Sequence, residues 1–265
     1  MVTEAEIETF WRDGVVCLRG VLDPGLLHAM AEPVEVAIAG TQSADLSALA
    51  GAPESSARFV AGIDHWRRQP EMRSFACDSS LPETVAALLR STDVYLYEDS
   101  VLVKEPGAAE HTQWHQDLGY FHVEGTQLCT TWCPLDPADE ESGAMQFARG
   151  SHRRPETYRP NLFVTTDPIP GTEGEIVPDV AAGDFDIIAF ALEPGDITVH
   201  HARTLHAAGP NRSTDRRRRA ISVRYCGEDV RVHLRAGAPV KPEQQHLSEG
   251  DPLGDDAHPR VWPPD

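Results

Sequence analysis

Residues 184–202 read DFDIIAFALEPGDITVHHA, which is two short β-rich runs separated by the turn signal Glu193-Pro194-Gly195-Asp196. Isoleucine, valine, threonine and phenylalanine favour extended backbone, whereas proline and glycine favour turns. Outward from this stretch, similar runs lie at 94–104, 127–135, 143–150 and 218–226. Many short strands between Pro/Gly turns, with no alternating helices, indicate a sandwich or barrel. We therefore predict a mainly β protein with a jelly-roll core.

The first third of the chain has a different texture, with flanking helices. Thr3, with Glu6 three residues later, forms a capping-box pattern and predicts a helix over 3–12. Asp23-Pro24 predicts the start of a second helix that continues to about residue 38. The remaining expectations are a strand at 14–19, a loop or short helices at 41–62, and a helix at 81–91.

We expect one domain spanning residues 1–265. Within it, residues 1–92 form a helical N-terminal part and residues 93–235 form the jelly-roll core. Residues 236–265 are rich in proline, glycine and charge, so they are expected to wrap the body or fray.

Composition limits the classes of partner. The formal net charge is −19, and such a field repels nucleic-acid phosphates and anionic membrane surfaces. No run approaches the roughly 18 apolar residues of a membrane span. Five scattered cysteines and an acidic start without an apolar run are typical of a reducing cytoplasm. We expect a cytoplasmic protein, monomer or homodimer, with a small-molecule substrate and with neither nucleic acid nor membrane as partner.

The motif with the clearest chemistry is Trp114-His115-Gln116-Asp117. Residues i and i+2 of a strand share a face, so His115 and Asp117 are expected to point the same way. Two histidines and one carboxylate form the facial triad of non-haem Fe(II) oxygenases, which leaves three coordination positions open. The second histidine must come from a distant strand. His206 is the favoured candidate, and the adjacent His200 and His201 are its rivals.

A dicarboxylate co-substrate needs a fixed cation, and arginine supplies bidentate, always-charged pairing. The run Arg216 to Arg219 precedes the β-rich segment that begins at Ala220. Strand alternation sends either Arg217 and Arg219 or Arg216 and Arg218 inward. At least two of the four arginines are therefore expected to be solvated.

Six motifs in order make this sequence resemble the phytanoyl-CoA dioxygenase family. They are FWRDGVVCLRGVLDP (10–24), WHQDLGYF (114–121), TTWCPLD (130–136), ESGAMQFARGSH (141–152), EPGDITVHHARTLHAAGPN (193–211) and RRRRAISVRY (216–225). The resemblance implies a double-stranded β-helix, the cupin-like jelly roll. It also places iron on His115, Asp117 and His206.

The resemblance further implies residues for 2-oxoglutarate. Counting back from Ala220 gives Arg218 as the partner of its distal carboxylate, whereas counting forward from His206 gives Arg217. Arg218 is favoured, because strand register is held more tightly than loop length. Trp132 matches an aromatic beside the co-substrate, and Lys104 falls near a polar contact. Many relatives have a serine donor where this chain has Ala208.

Together these observations predict an Fe(II)- and 2-oxoglutarate-dependent dioxygenase that uses O2 to oxidise a C–H bond. Related halogenases lack the carboxylate of Asp117, so its presence implies hydroxylation, desaturation or epimerisation. The predicted substrate is a small to medium, hydrophobic metabolite, with Tyr120, Phe121 and Trp66 as an apolar rim.

Three alternatives remain open at this point. A cupin-type metalloenzyme would bind metal without an arginine-held co-substrate. A nucleic-acid demethylase would share the triad but carry a basic face. A non-catalytic jelly-roll binding protein would typically have lost a ligand, and none of the three is lost in this sequence.

Overall fold

The computed structural model describes residues 2–53, 57–183 and 185–264. Residues 54–56, which belong to the predicted loop at 41–62, and Asp184, the first residue of the predicted strand at 184–192, lie outside the described residues. Within the described ranges, no helix has the length and apolar character that crossing a membrane requires.

Six α-helices lie among the described residues of the first 90, and the predicted capping box of Thr3 and Glu6 is present at the first. The helix predicted over 24–38 is two helices, divided at Met30. Pro33 gives the reason, because it has no N–H to donate to the carbonyl four residues earlier. The helices are α1 (Glu4–Asp13), α2 (Pro24–Ala29), α3 (Ala31–Ala39), α4 (Leu46–Leu49), α5 (Pro70–Asp78) and α6 (Leu81–Leu89).

Fourteen strands are described, and all six β-rich runs from residue 94 onward contain one. Two further strands lie in the stretch predicted as a loop or short helices. The strands are β1 (Val15–Leu18), β2 (Ser43–Asp45), β3 (Phe59–Ile63), β4 (Val94–Lys104), β5 (Thr112–His115), β6 (Val123–Glu124), β7 (Leu128–Pro134), β8 (Met145–Ala148), β9 (Ile187–Ala189), β10 (Ile197–His201), β11 (His206–Ala208), β12 (Arg218–Gly227), β13 (Arg231–Val232) and β14 (Arg260–Trp262).

The strands form two antiparallel sheets and one short pair. The larger sheet has the order β1-β10-β7-β12-β4-β3-β2, with β14 also paired to β4. The smaller sheet has the order β5-β11-β8-β9, and β13 pairs with β6. Side chains from the inner faces of both sheets, such as Trp132 and Phe147, pack in one cluster. The predicted jelly roll with flanking helices is confirmed.

Strand alternation separates two environments across the larger sheet. On β12, Ile221 and Val223 belong to a core that also contains residues of α1, α3, α5 and α6. Arg218, Ser222 and Arg224 lie on the opposite face of β12 and line a cavity between the two sheets. The helices therefore stabilise the outer face of this sheet, and its inner face is free to carry polar side chains.

Both ends of the chain contribute strands to the larger sheet. β1, β2 and β3 come from the part predicted as helical, and β14 comes from the Pro/Gly-rich tail. The tail is also held by Lys241, whose Nζ lies 2.7 Å from Asp64 Oδ2 and 2.5 Å from Glu98 Oε2. Residues 236–264 therefore wrap the body instead of fraying.

Candidate metal centre

The structure brings His115, Asp117 and His206 together, although 89 residues separate the last two in sequence. β5 and β11 are antiparallel neighbours, and His115 lies directly opposite His206 in their register. Asp117 follows two residues after His115, at the first position of a short 3-10 helix. The end of one strand and the start of its neighbour thus place three ligands at one point.

Their ligand atoms converge on one side of Asp117. Asp117 Oδ1 lies 3.7 Å from His115 Nε2 and 3.6 Å from His206 Nε2. The three side chains are buried, and their ligand atoms all lie within 4.8 Å of one another. Among the described His, Cys, Asp and Glu residues, no other group of three is arranged in this way.

Backbone carbonyls orient both imidazoles. His115 Nδ1 lies 2.7 Å from the carbonyl oxygen of Gln113, and His206 Nδ1 lies 2.9 Å from that of Thr204. Carbonyls only accept hydrogen bonds, so each Nδ1 carries the proton. Each Nε2 therefore presents its lone pair toward Asp117, as a metal ligand must.

Electrostatics keep these groups in the protonation states that bind a cation. Burial would raise the pKa of Asp117, but the imidazoles around its carboxylate, His206 first among them, lower this pKa well below its usual range. Burial, reinforced by His115 and His200, lowers the pKa of His206 well below its ordinary value. An ionised carboxylate beside a neutral imidazole suits a divalent cation.

Neither rival histidine belongs to the group of three converging ligands. His200 Nε2 lies 3.2 Å from Asp117 Oδ2, the carboxylate oxygen other than the one nearest His115 and His206. His201 is on the opposite face of β10, where its Nε2 lies 2.8 Å from the carbonyl oxygen of Thr126 and its ring packs near Phe10. The geometry therefore favours His206 as the third ligand.

Arg218 lines the same cavity and is almost fully buried, with 1% of its surface exposed. Its Nε and Nη2 have no hydrogen-bond partner among the described residues. Burial lowers the pKa of Arg218 to about 10, so the guanidinium stays charged at neutral pH. A buried cation with free donors is costly unless an anion binds there.

The other arginines of the run point out of the cavity. Arg217 is ion-paired with Glu35 at 2.7 Å and with Glu105 at 2.8 Å, which favours Arg218 over Arg217 as the residue that binds 2-oxoglutarate. Its guanidinium is already occupied by two carboxylates on the outside of the sheet. Arg216 and Arg219 are likewise paired, with Asp139, Glu141 and Asp136.

Trp132 and Lys104 differ in their relation to the cavity. Trp132 lines it, its ring centroid lies 5.6 Å from Arg218 Cζ, and its buried Nε1 has no partner among the described residues. Lys104 is opposite Arg218 in the register of β4 and β12, but its Nζ donates to the carbonyls of Glu110 and Gly209. Lys104 thus tethers the backbone behind Arg218, and its contact with the co-substrate stays a prediction.

The predicted apolar rim is mostly absent. Trp66 is 2% exposed in the core beneath the helices, and Phe121 packs 4.7 Å from Tyr97 in a separate buried cluster. Neither side chain lines the cavity, because each one fills the interior of a core cluster. Tyr120 lies closer, with its ring centroid 5.7 Å from that of His115, and its hydroxyl is bonded to Asn161. A role for Tyr120 in substrate binding stays a prediction.

Other residues of the cavity were not predicted from the sequence. Thr130 and Arg224 line it on the larger sheet, and Phe163 contributes from the loop after β8. One signal was available: Trp132 was expected to point inward, and Thr130 is two residues earlier on the same strand.

A model of the family described as phytanoyl-CoA dioxygenase (PhyH) matches residues 10–220. A probable alpha-ketoglutarate-dependent hypophosphite dioxygenase of Stutzerimonas stutzeri is 32% identical over 179 residues, 61% of this chain and 56% of that protein. This chain thus spans little more than half the length of that relative. The 1-deoxypentalenic acid 11-beta-hydroxylase of Streptomyces arenae is 27% identical over 215 residues, 76% of this chain and 72% of that protein.

Among solved structures, the epimerase SnoN in complex with Fe3+, alpha ketoglutarate and nogalamycin RO has a TM-score of 0.73 and 27% sequence identity. The superposition covers 97% of this chain and 98% of that one. The family match extends over most of the chain and includes all three converging ligands. This chain belongs to the phytanoyl-CoA dioxygenase (PhyH) family.

Proposed function

We propose that this chain is a non-haem Fe(II)- and 2-oxoglutarate-dependent oxygenase that hydroxylates, or otherwise oxidises at a C–H bond, a small to medium hydrophobic metabolite. One observation carries the proposal. The two Nε2 atoms and Asp117 Oδ1 converge in a buried cavity that also contains the unpartnered guanidinium of Arg218.

The donor set fits ferrous iron. Two imidazoles and one carboxylate form a facial triad that leaves three coordination positions for exogenous ligands. A site with only protein ligands on all sides would be structural, whereas open positions permit chemistry. His115, Asp117 and His206 are therefore proposed as the metal ligands.

The same cavity carries the free donors that a dicarboxylate would pair with. Arg218 has two donors free and is proposed to pair with the distal carboxylate of 2-oxoglutarate. Trp132 adds one more free donor, its indole Nε1, and an apolar face. Ala208 also lines the cavity, but it has no hydroxyl to donate. Arg218 and Trp132 would therefore supply the hydrogen-bond donors at this end of the site.

Bound iron and 2-oxoglutarate would supply the activation of O2 and the oxidising equivalents. The residues of this chain would bind and orient the metal and the co-substrate, and they would exclude water. Asp117 and the two histidines fix the metal on one side, and Arg218 fixes the co-substrate by its far end. Leu102, Met145 and Phe163 present apolar surface to the cavity, which limits competing hydrolytic and radical reactions.

The alternatives are weaker for stated reasons. A cupin-type enzyme without an organic co-substrate would not explain a buried arginine whose donors find no partner in the described chain.

We also propose a cytoplasmic location, a single domain with monomeric or homodimeric assembly, and no nucleic-acid partner. The formal net charge of −19 supports the last point.

The test is succinate release from 2-oxoglutarate under air, with protein loaded with Fe(II), across a panel of hydrophobic metabolites. We expect at least one compound to raise succinate formation above the uncoupled rate and to gain one oxygen atom or lose two hydrogen atoms. Metal-dependent turnover of compounds without any consumption of 2-oxoglutarate would contradict the proposal and favour the cupin alternative.

A further inference from the structure

The two oxygens of the Asp117 carboxylate have different surroundings. Oδ1 faces the Nε2 atoms of His115 and His206, at 3.7 and 3.6 Å. Oδ2 accepts a hydrogen bond from Thr130 Oγ1 at 2.5 Å and lies 3.2 Å from His200 Nε2. One oxygen is therefore directed at the metal position, and the other is held by two side chains of the larger sheet.

These two side chains are neighbours by strand register. Thr130 on β7 lies opposite His200 on β10 and, on its other side, opposite Arg224 on β12. All three line the cavity, so they form one polar row across the inner face of the sheet. The row lies at the height of the Asp117 carboxylate, which comes from the other side of the cavity.

Because Thr130 and His200 are buried, the Asp117 carboxylate is an important hydrogen-bond partner for both side chains. Thr130 and His200 are each 1% exposed. His200 Nδ1 has no partner in the part of the chain that the structure describes, so its contact with Asp117 is the one polar contact of the ring there. Because a carboxylate only accepts, neutral His200 must carry its proton on Nε2 to make this bond.

We propose that Thr130 and His200 are positioning residues that reserve Oδ2 of Asp117, so that Asp117 binds the metal through Oδ1 alone. The inference rests on the proposed function. A carboxylate free to rotate could bind the cation through both oxygens and thereby occupy a position that the co-substrate or O2 needs. Mutation of groups that orient a metal ligand in this way typically lowers metal affinity or activity by about 10- to 100-fold.

The experiment is an anaerobic titration of the metal-free protein with Co(II), followed by its visible d–d absorption. Co(II) stands in for Fe(II) and reports both affinity and ligand geometry. We expect Thr130→Val, which keeps the shape but removes the donor, to weaken Co(II) binding by about tenfold and to change the d–d spectrum. Thr130→Ser keeps the hydroxyl and should restore both to wild-type values.

His200 is tested in the same way. His200→Leu should weaken binding by about tenfold, and His200→Gln, whose amide can place a donor near the same position, should recover most of the loss. The double variant Thr130→Val/His200→Leu should lose less than the product of the single effects, because both groups act on one oxygen.

Thr131→Val is the matched control. Thr131 is the next residue on β7, fully buried on the other face, and its hydroxyl donates to the carbonyl of Val223. This variant should lose thermal stability without any change in Co(II) affinity or spectrum.

Unchanged affinity and spectrum in either Thr130→Val or His200→Leu would overturn the assignment, and so would equal losses in Thr130→Val, Thr130→Ser and Thr131→Val. Failure of the wild-type protein to bind Co(II) at all would instead contradict the proposed function, so the two failures are distinguishable.

Discussion

Two buried polar clusters lie against the larger sheet, and they differ in whether the protein supplies an ion-pair partner for the buried charge. In the cavity, Arg218 Nε and Nη2 and Trp132 Nε1 have no partner among the described atoms. In the second cluster, the Nζ of Lys241 lies within ion-pair distance of both Asp64 and Glu98. Both clusters contain charged groups that are buried away from water, but only in the second does a buried charge have an ion-pair partner of opposite sign.

The difference separates binding from structure. An uncompensated buried charge is strongly unfavourable, so a chain retains it only where a ligand will neutralise it. A compensated cluster needs no ligand, and its loss should affect folding alone. Substitutions in the cavity cluster are therefore expected to change ligand affinity but not the free energy of unfolding. Substitutions in the Lys241 cluster are expected to change the free energy of unfolding but not ligand affinity.

The largest effect is expected from Asp117→Ala. Removing the one carboxylate of the triad takes away the anionic ligand and leaves two neutral imidazoles, so succinate production and substrate oxidation should be abolished. The measurement is succinate release with Fe(II), 2-oxoglutarate and O2. Wild-type rates in this variant would reject the ligand assignment.

The next effect is on the co-substrate. Arg218→Met should weaken 2-oxoglutarate binding by about 100-fold, because losing one member of a buried charged pair costs roughly 2 to 5 kcal/mol. Its stability without ligands should stay equal or rise, since an apolar side chain replaces an uncompensated charge. Calorimetric titration and thermal unfolding measure the two quantities.

Arg217→Met is the matched control for that variant. Its ion pairs with Glu35 and Glu105 lie outside the cavity, so the dissociation constant of 2-oxoglutarate should change by less than about twofold. A larger loss from Arg217→Met than from Arg218→Met would reverse the assignment.

The Lys241 cluster should show the opposite pattern. Lys241→Met leaves Asp64 and Glu98 without their shared cation, and breaking a buried pair costs about 3 kcal/mol or more. Denaturant unfolding should show this loss, whereas 2-oxoglutarate affinity should be unaffected. Arg58→Met, which removes the exposed pair with Asp45, should cost less than about 1 kcal/mol.

The smallest effect is a pH dependence of stability next to that cluster. Burial raises the pKa of Asp99 to about 7. The folded state therefore keeps a proton that the unfolded chain releases above pH ~4, so stability falls as pH rises toward 7 and then levels off. Relative to wild type, Asp99→Asn should gain about 2.6 kcal/mol between pH 5 and pH 8, since the shift acts over about two pH units in this range and one unit is about 1.4 kcal/mol. Parallel stability curves would contradict the shift.

Sequence patterns were sufficient for the strands that carry strong β-forming residues and clear turns, such as β4 and β10. They were insufficient for β2 (Ser43–Asp45), whose residues have little β propensity and become a strand only by pairing with β3. They also could not show that Trp66 fills the core, because burial depends on which helices cover the sheet.

At the site, alternation and motif order were enough to nominate His115, Asp117 and His206. They left Arg217 and Arg218 unresolved, because a loop of uncertain length precedes the strand. The roles of Thr130 and His200 were out of reach for a different reason: they depend on the lateral register of β7 and β10, which is a property of the sheet and not of either segment.

The most direct test is an anaerobic titration of the Fe(II)-loaded protein with 2-oxoglutarate, followed by visible absorption. Chelation of the co-substrate by triad-bound iron should produce a weak charge-transfer band whose intensity saturates at one equivalent of 2-oxoglutarate. In Arg218→Met, the same band should need a higher concentration of 2-oxoglutarate to saturate. A protein that binds Fe(II) but develops no such band would contradict the account.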